Sequence, residues 1–325
     1  MTITVNDDFD LYKIVNSGQC FRPAAIGENT YRFITGENVL IIQELPTSEL
    51  SPNELSPSEV HANEIPAFEP LSSERSEKTA VSNTCHTFSV SCSENDWDSI
   101  WTPYFDLDLN YSSIRESVPK KDKYMTHCAK VGAGIRMLRQ DKWEMLISFI
   151  ISQRKSIPAI RSSVEKLCKR YGHPLCVPET SETFETSETF ETSAASETLH
   201  SFPTPEELSH ATEEELKECG LGYRVPYIYE VTKQVNEGKI DLITLDTLND
   251  DDLFTELKKI KGVGDKVANC VELFGYHRLG RAPVDTWIAK VINEQYGGIN
   301  PFPAYKEKAG VLQQYVFYTA QHARE

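Results

Sequence analysis

The sequence predicts an α+β protein, with an N-terminal antiparallel β-sheet domain followed by a mostly α-helical one. Three observations carry that expectation. Apolar and polar residues alternate in short stretches before about residue 112, a helical period takes over from about 113, and two repetitive acidic segments fit neither period. The sheet domain is placed at 1–112 and the helical domain at 113–325. At 325 residues and 39% hydrophobic content the chain is long enough for two cores.

Strands are expected at Thr30-Tyr31-Arg32-Phe33-Ile34 and Val39-Leu40-Ile41-Ile42. Residues 85–92 alternate in the same way and should pair with them. The intervening segment, 46–84, is a degenerate pentapeptide in which Glu recurs every five residues from Glu49 to Glu74. Its prolines oppose both helix and strand, so it reads as a disordered acidic insert. A hexad, Glu179-Thr180-Ser181-Glu182-Thr183-Phe184, repeats at 185–190 and decays, giving a second low-complexity insert at 178–202. Both read as solvated loops, with a protein-binding or phosphorylated segment as the alternative.

The helical part opens on Trp143 to Ile151, a nearly continuous apolar run that suits a buried helix. Further helices are expected at 157–171, 213–219, 225–238 and 251–276. Inside the last, Gly262-Val263-Gly264 breaks the period, so that 251–276 reads as helix, tight hairpin, helix, with Asp265 as the expected N-cap. Glycines turn there without steric cost and let a ligand approach the backbone N–H groups closely. Such N–H groups at a helix start suit a phosphate, which makes Gly262 and Gly264 candidate phosphate contacts. Lys266 follows in the first turn, and Asp285, within Pro283-Val284-Asp285-Thr286-Trp287, stands where another helix should begin. Singly these are a solvated lysine and an ordinary N-cap. Together, a lysine and a carboxylate beside a phosphate-binding hairpin suggest chemistry on a nucleic acid.

A net charge of −16 argues against such a partner. The objection weakens once the charge is located: residues 46–96 hold −7 and residues 178–200 hold −6, leaving about −3 elsewhere. The eight cysteines have no paired metal spacing and read as reduced thiols of an intracellular protein, so no metal and no cofactor are expected. The start of the chain lacks the pattern of a signal peptide, and no apolar run approaches a membrane span.

Scattered motifs then fall into one order. Ser17-Gly18-Gln19-Cys20-Phe21-Arg22, Tyr104-Phe105-Asp106-Leu107-Asp108, Gly134 to Asp141, Gly220-Leu221-Gly222-Tyr223-Arg224, the hairpin with Lys266 and Asp285, and Ala309 to Phe317 together resemble the 8-oxoguanine DNA glycosylases of the helix-hairpin-helix (HhH-GPD) superfamily. The resemblance spans the chain apart from the two inserts. It implies a bifunctional DNA glycosylase and abasic-site lyase, in which Lys266 attacks the sugar to form a Schiff base and Asp285 stabilises charge and moves protons. The strand is then cut by β-elimination.

By the same resemblance, Gly18 offers its carbonyl to the N7 proton of 8-oxoguanine, Cys270 and Phe317 sandwich the flipped base, and Gln313 binds its Watson–Crick edge. Tyr223 presses into the DNA stack. Arg154 stands where the eukaryotic enzymes have an asparagine that reads the opposite cytosine, and Trp287 where they have a histidine near the phosphate. The implied partner is damaged double-stranded DNA, bound by a monomer and not at a membrane. The implied location is the cytoplasm (nucleoid) if the source is bacterial and the nucleus otherwise. No cysteine follows Cys270, so the iron–sulfur cluster of endonuclease III-like relatives is not expected. A glycosylase for another lesion and a non-catalytic DNA-binding module remain the alternatives.

Overall fold

The computed structural model describes residues 1–46, 86–178 and 198–322. The inserts expected at 46–84 and 178–202 therefore lie outside the described residues, apart from Pro46, Pro178 and residues 198–202. Five strands, β1 (Thr2–Val5), β2 (Ala24–Gly27), β3 (Thr30–Thr35), β4 (Asn38–Glu44) and β5 (His86–Val90), form one antiparallel sheet in the order β1-β5-β4-β3-β2. The strand after the first acidic segment thus enters the middle of the sheet, with Phe88 opposite Ile3 and Val90 opposite Ile42. Phe33, Leu40, Ile42, Phe88 and Val90 are buried on one side, where Phe9 and Phe105 meet Phe88 and Phe33 edge to face with centroids 5.0–5.2 Å apart.

Both acidic segments leave and re-enter the fold at neighbouring backbone. Leu45 N–H donates to Thr87 O at 2.9 Å. Leu175 N–H donates to Leu199 O at 2.8 Å and Ser201 N–H to His173 O at 2.9 Å, while Ser201 and Phe202 are buried.

A short helix, α1 (Leu11–Asn16), precedes the sheet's second strand, and α2 (Glu94–Asp96), a π turn (Trp97–Trp101) and α3 (Thr102–Tyr104) follow its last. The chain continues as α4 (Tyr111–Glu116), α5 (Lys123–Val131), α6 (Lys142–Ser152), α7 (Ile157–Tyr171), α8 (Pro205–Ser209) and α9 (Glu213–Glu218). After a 3₁₀ turn at Gly222–Arg224 come α10 (Val225–Asn236), α11 (Leu242–Leu245), α12 (Asp250–Lys259), α13 (Asp265–Phe274), α14 (Thr286–Tyr296) and α15 (Ala309–His322). The apolar run expected to be buried is α6, in which every residue from Trp143 to Ser152 is buried.

Arg136 joins the sheet layer to the helical body. It is fully buried, donates to the carbonyls of Asp8, Phe105, Asp106 and Leu109, and pairs with Asp7 at 3.1 Å. Asp7 in turn accepts from the N–H groups of Tyr111 and Ser112 at the start of α4. The motif Gly134 to Asp141 is therefore a structural staple, because each of these buried polar groups needs a partner.

Burial inside α6 also leaves a titration signature. Glu144 is pushed up from 4.5 to about 7 by burial, against the pull of Arg22. Its folded value exceeds its unfolded one, so its contribution to stability is full below about pH 4.5 and lost as pH rises through about 7. Glu144→Gln cannot ionise, and relative to wild type it should gain on the order of 3 kcal/mol between about pH 5 and about pH 8. Urea melts at both pH values check this; parallel shifts would refute it.

Candidate active site

The hairpin Ile260–Gly264 holds two glycines with different tasks. Gly262 has φ +90°, and a Cβ there would lie 2.6 Å from the Tyr227 ring, so the turn itself excludes a side chain. Gly264 has φ −95°, and a Cβ there would meet nothing within 4 Å, so its bareness leaves the backbone open to an outside ligand. Gly264 rather than Asp265 is the N-cap of α13. Asp265 is the first helical residue and pairs with Lys258 at 2.6 Å, because the helix begins one position earlier than the sequence suggested. Among the described residues no side chain caps α13, so its first N–H groups keep their capacity to bind an anion.

Lys266, one residue into α13, projects over the Phe149 ring, with Nζ 5.1 Å from the centroid, and stands one turn before Cys270 on the same face. Burial pushes the Cys270 thiol up, and Lys266 pulls it the other way. Asp285 does act as the N-cap of α14, accepting from Ile288 N–H at 2.8 Å. Burial raises its carboxyl above the usual range, opposed by the N–H groups of Ile288 and Trp287 and by Lys266. One feature holds helix and loop together: Arg281, four residues before Asp285, pairs at 3.2 Å with Glu272, fully buried on the helix of Lys266.

Gly18, Lys266, Cys270, Asp285, Gln313 and Phe317 line one small cavity of about 50 Å³, room for a few water molecules. Gln313 is buried, and its Oε1 has no hydrogen-bond partner among the described residues. Gly18 has φ +77°, and its main chain is fixed on both sides. Gln19 is buried and pairs with Arg136 O and Leu138 N–H at 2.8 Å each, while Gln314 donates to Ser17 O. The small cavity opens into a cleft of about 880 Å³, which Arg154 and Trp287 also border. Tyr223 is 52% exposed and stands edge-on against Tyr227, with the Arg224 guanidinium 4.4 Å from its ring.

Every residue singled out from the sequence is thus at the cleft, its inner cavity, the hairpin or the adjoining turn. Sequence reasoning missed Phe149, whose ring floors the cavity and stacks on Phe274 at 5.3 Å. Nothing distinguishes it from its apolar neighbours in α6. It also missed why Gln19 accompanies Gly18.

A Cβ on Gly18 would lie 2.8 Å from Phe317 Cε1 and 3.4 Å from Ile157 Cδ1. Gly18→Ala should therefore cost about 1–2 kcal/mol through its left-handed backbone and push Phe317 into the cavity. On the activity that the resemblance implies, the expected result is loss of most lesion excision, with cleavage of a preformed abasic site kept within a few-fold. Equal loss of both would make Gly18 a folding glycine only.

A bared hairpin between two helices, with a lysine and a carboxylate at one apolar cleft, defines a helix-hairpin-helix protein. Comparison with known families agrees. The 8-oxoguanine DNA glycosylase N-terminal domain matches residues 2–146, and the HhH-GPD superfamily of base excision DNA repair proteins matches residues 147–314. The chain belongs to that superfamily.

It is 34% identical over 205 residues to an N-glycosylase/DNA lyase of Saccharomyces cerevisiae, covering 59% of this chain and 50% of that protein. A probable N-glycosylase/DNA lyase of Methanothermobacter thermautotrophicus is 29% identical over 249 residues, 68% of this chain and 71% of that one. The chain spans about half the length of two curated relatives that it matches. Among solved structures, Clostridium acetobutylicum 8-oxoguanine glycosylase/lyase, bound to double-stranded DNA with cytosine opposite 8-oxoguanine, superposes with TM-score 0.75 at 25% identity. That match covers 100% of this chain and 99% of that one.

Proposed function

We propose that the protein is a bifunctional DNA glycosylase and abasic-site lyase that excises 8-oxoguanine-type oxidised purines from double-stranded DNA. The observation that carries this reading is the single cavity shared by Lys266, Asp285, Gly18, Cys270, Gln313 and Phe317. The names of the relatives point the same way.

A base in a duplex is out of reach at C1′, so the nucleotide must be flipped out, at a cost of a few kcal/mol. The hairpin N–H groups at Gly264 and beyond hold a phosphate beside it. The base enters between Cys270 and Phe317, which must swing away because the cavity is smaller than a purine. Gln313 Oε1 accepts from the donors on the base's Watson–Crick edge, and Gly18 O accepts from N7–H, which guanine lacks. An unpaired carbonyl there disfavours guanine.

The neutral amine of Lys266 forms a bond to C1′ as the C1′–N9 bond breaks, and the base leaves with a proton. Asp285 stabilises the positive charge growing on the sugar. The lysine adduct opens to a Schiff base. Loss of a C2′ proton then breaks the C3′–O bond and cuts the strand. All these groups come from one chain, consistent with action as a monomer.

The test is incubation with duplexes carrying 8-oxoguanine opposite each of the four bases, with borohydride present in parallel. Excision with a trapped adduct supports the reading. Excision of another lesion instead would change the substrate, and binding without excision would make the protein a DNA-binding module.

A further inference from the structure

The loop 153–156 lines the cleft, and its residues bond to two segments far away in sequence, the turn 220–224 and the hairpin 260–264. Gln153, which follows α6, donates from Nε2 to Gly262 O in the hairpin at 3.0 Å and to Ile150 O at 3.1 Å. Its own carbonyl accepts from Tyr223 Oη at 3.4 Å. Lys155 donates from Nζ to Gly220 O at 2.6 Å and to Ser163 Oγ at 2.5 Å. Gly220 opens the turn that presents Tyr223. Between these two residues stands Arg154, exposed on the cleft, with φ +52°. It makes no hydrogen bond or ion pair among the described residues. A non-glycine residue holds such a conformation only where its surroundings over-determine it.

We infer that Gln153 and Lys155 are positioning residues. They form a cross-tie that joins loop 153–156, turn 220–224 and hairpin 260–264 into one rim and aims Arg154 and Tyr223 at the DNA. This rests on the glycosylase reading above. Lys155 spends its hydrogen bonds on Gly220 O and Ser163 Oγ, partners inside the protein, and burial together with the Arg224 charge lowers it from its ordinary value. That environment suits a strut better than a phosphate contact, which would sit in solvent. Arg154 supplies what the strut holds: donors in a planar fork, suited to acceptor-rich base edges.

The test is a double-mutant cycle between Lys155→Met and Arg154→Ala, with Gln153→Leu beside it. Single-turnover excision is measured with the lesion opposite a base and opposite an abasic gap. Lys155→Met and Gln153→Leu should each slow excision about 10-fold from the paired duplex. They should slow it under about 3-fold opposite the gap, where no partner base meets the rim. In the Arg154→Ala background, Lys155→Met should add less than about twofold, because the two act through one contact. Equal slowing on both substrates, or multiplicative effects, would overturn the inference.

If the wild type excises nothing, the glycosylase reading fails, and the tie is judged by trypsin cleavage after Arg154. Gln153→Leu should then be cut faster than wild type. Unchanged cutting would overturn the tie itself.

Discussion

Lys266→Gln is expected to abolish borohydride trapping and to slow base release by on the order of 10⁴-fold or more, the scale seen when a nucleophile is removed. The side chain sits one residue into α13, over Phe149 and against the Cys270 thiol. Glutamine is close in length and keeps a hydrogen-bonding end, so α13 and the cavity should survive the change. Lesion DNA should bind within a few-fold of wild type, because the proposed phosphate grip uses the backbone of the hairpin and not this side chain. A variant that still traps normally would place the nucleophile elsewhere. Loss of binding together with trapping would show that the substitution unseats the hairpin.

Asp285→Asn should bind lesion DNA well but release the base about 10²-fold more slowly or worse, the usual scale for a positioned acid–base group. Asparagine caps helices as well as aspartate does, so the bond to Ile288 N–H and the start of α14 should persist. Only the charge is removed. The sign of the pH dependence follows from burial, which raises the Asp285 carboxyl above its ordinary range. In the proposed mechanism the ionised form is the active one, so wild-type excision should fall as pH drops through a value above that of a solvent-exposed aspartate. The variant should lack this limb. A pH–rate profile between about pH 4 and about pH 8 decides the matter, and an acid limb that persists in Asp285→Asn would belong to another group.

Much of this protein was legible in its sequence because local chemistry carries it. Gly262 and Gly264, Lys266 and Asp285 lie within 24 residues, and each sits at a helix end or a turn, where residue type determines backbone geometry. The strands at 30–34 and 39–42 and the helix at 157–171 were equally plain, the strands as short runs rich in β-branched and aromatic residues, the helix because its buried residues recur every three to four positions. The short strand Thr2–Val5 was not anticipated, because its four residues exist only through pairing with β5. Asp265 shows the limit in the hairpin itself. An aspartate at a helix start is a good N-cap by type, yet it pairs with Lys258 on the facing helix while glycine takes the cap.

By itself the sequence determined the α+β order of elements, the hairpin, the lysine–aspartate pair and the location of the acidic charge, all of which depend on neighbours along the chain. Only the tertiary structure decided that Gly18, Cys270, Gln313 and Phe317 share one cavity with Lys266, since these residues span almost the whole chain. It alone showed that Gln19 and Arg136 clamp the first motif, that Phe149 lies beneath Lys266, and that Gln153 and Lys155 bond to the hairpin and to the turn before Tyr223. The reason is physical. A period or a cap is set by contacts a few residues away, whereas a pocket is set by close packing and by the need of each buried polar group for a partner, which arrives from anywhere in the chain.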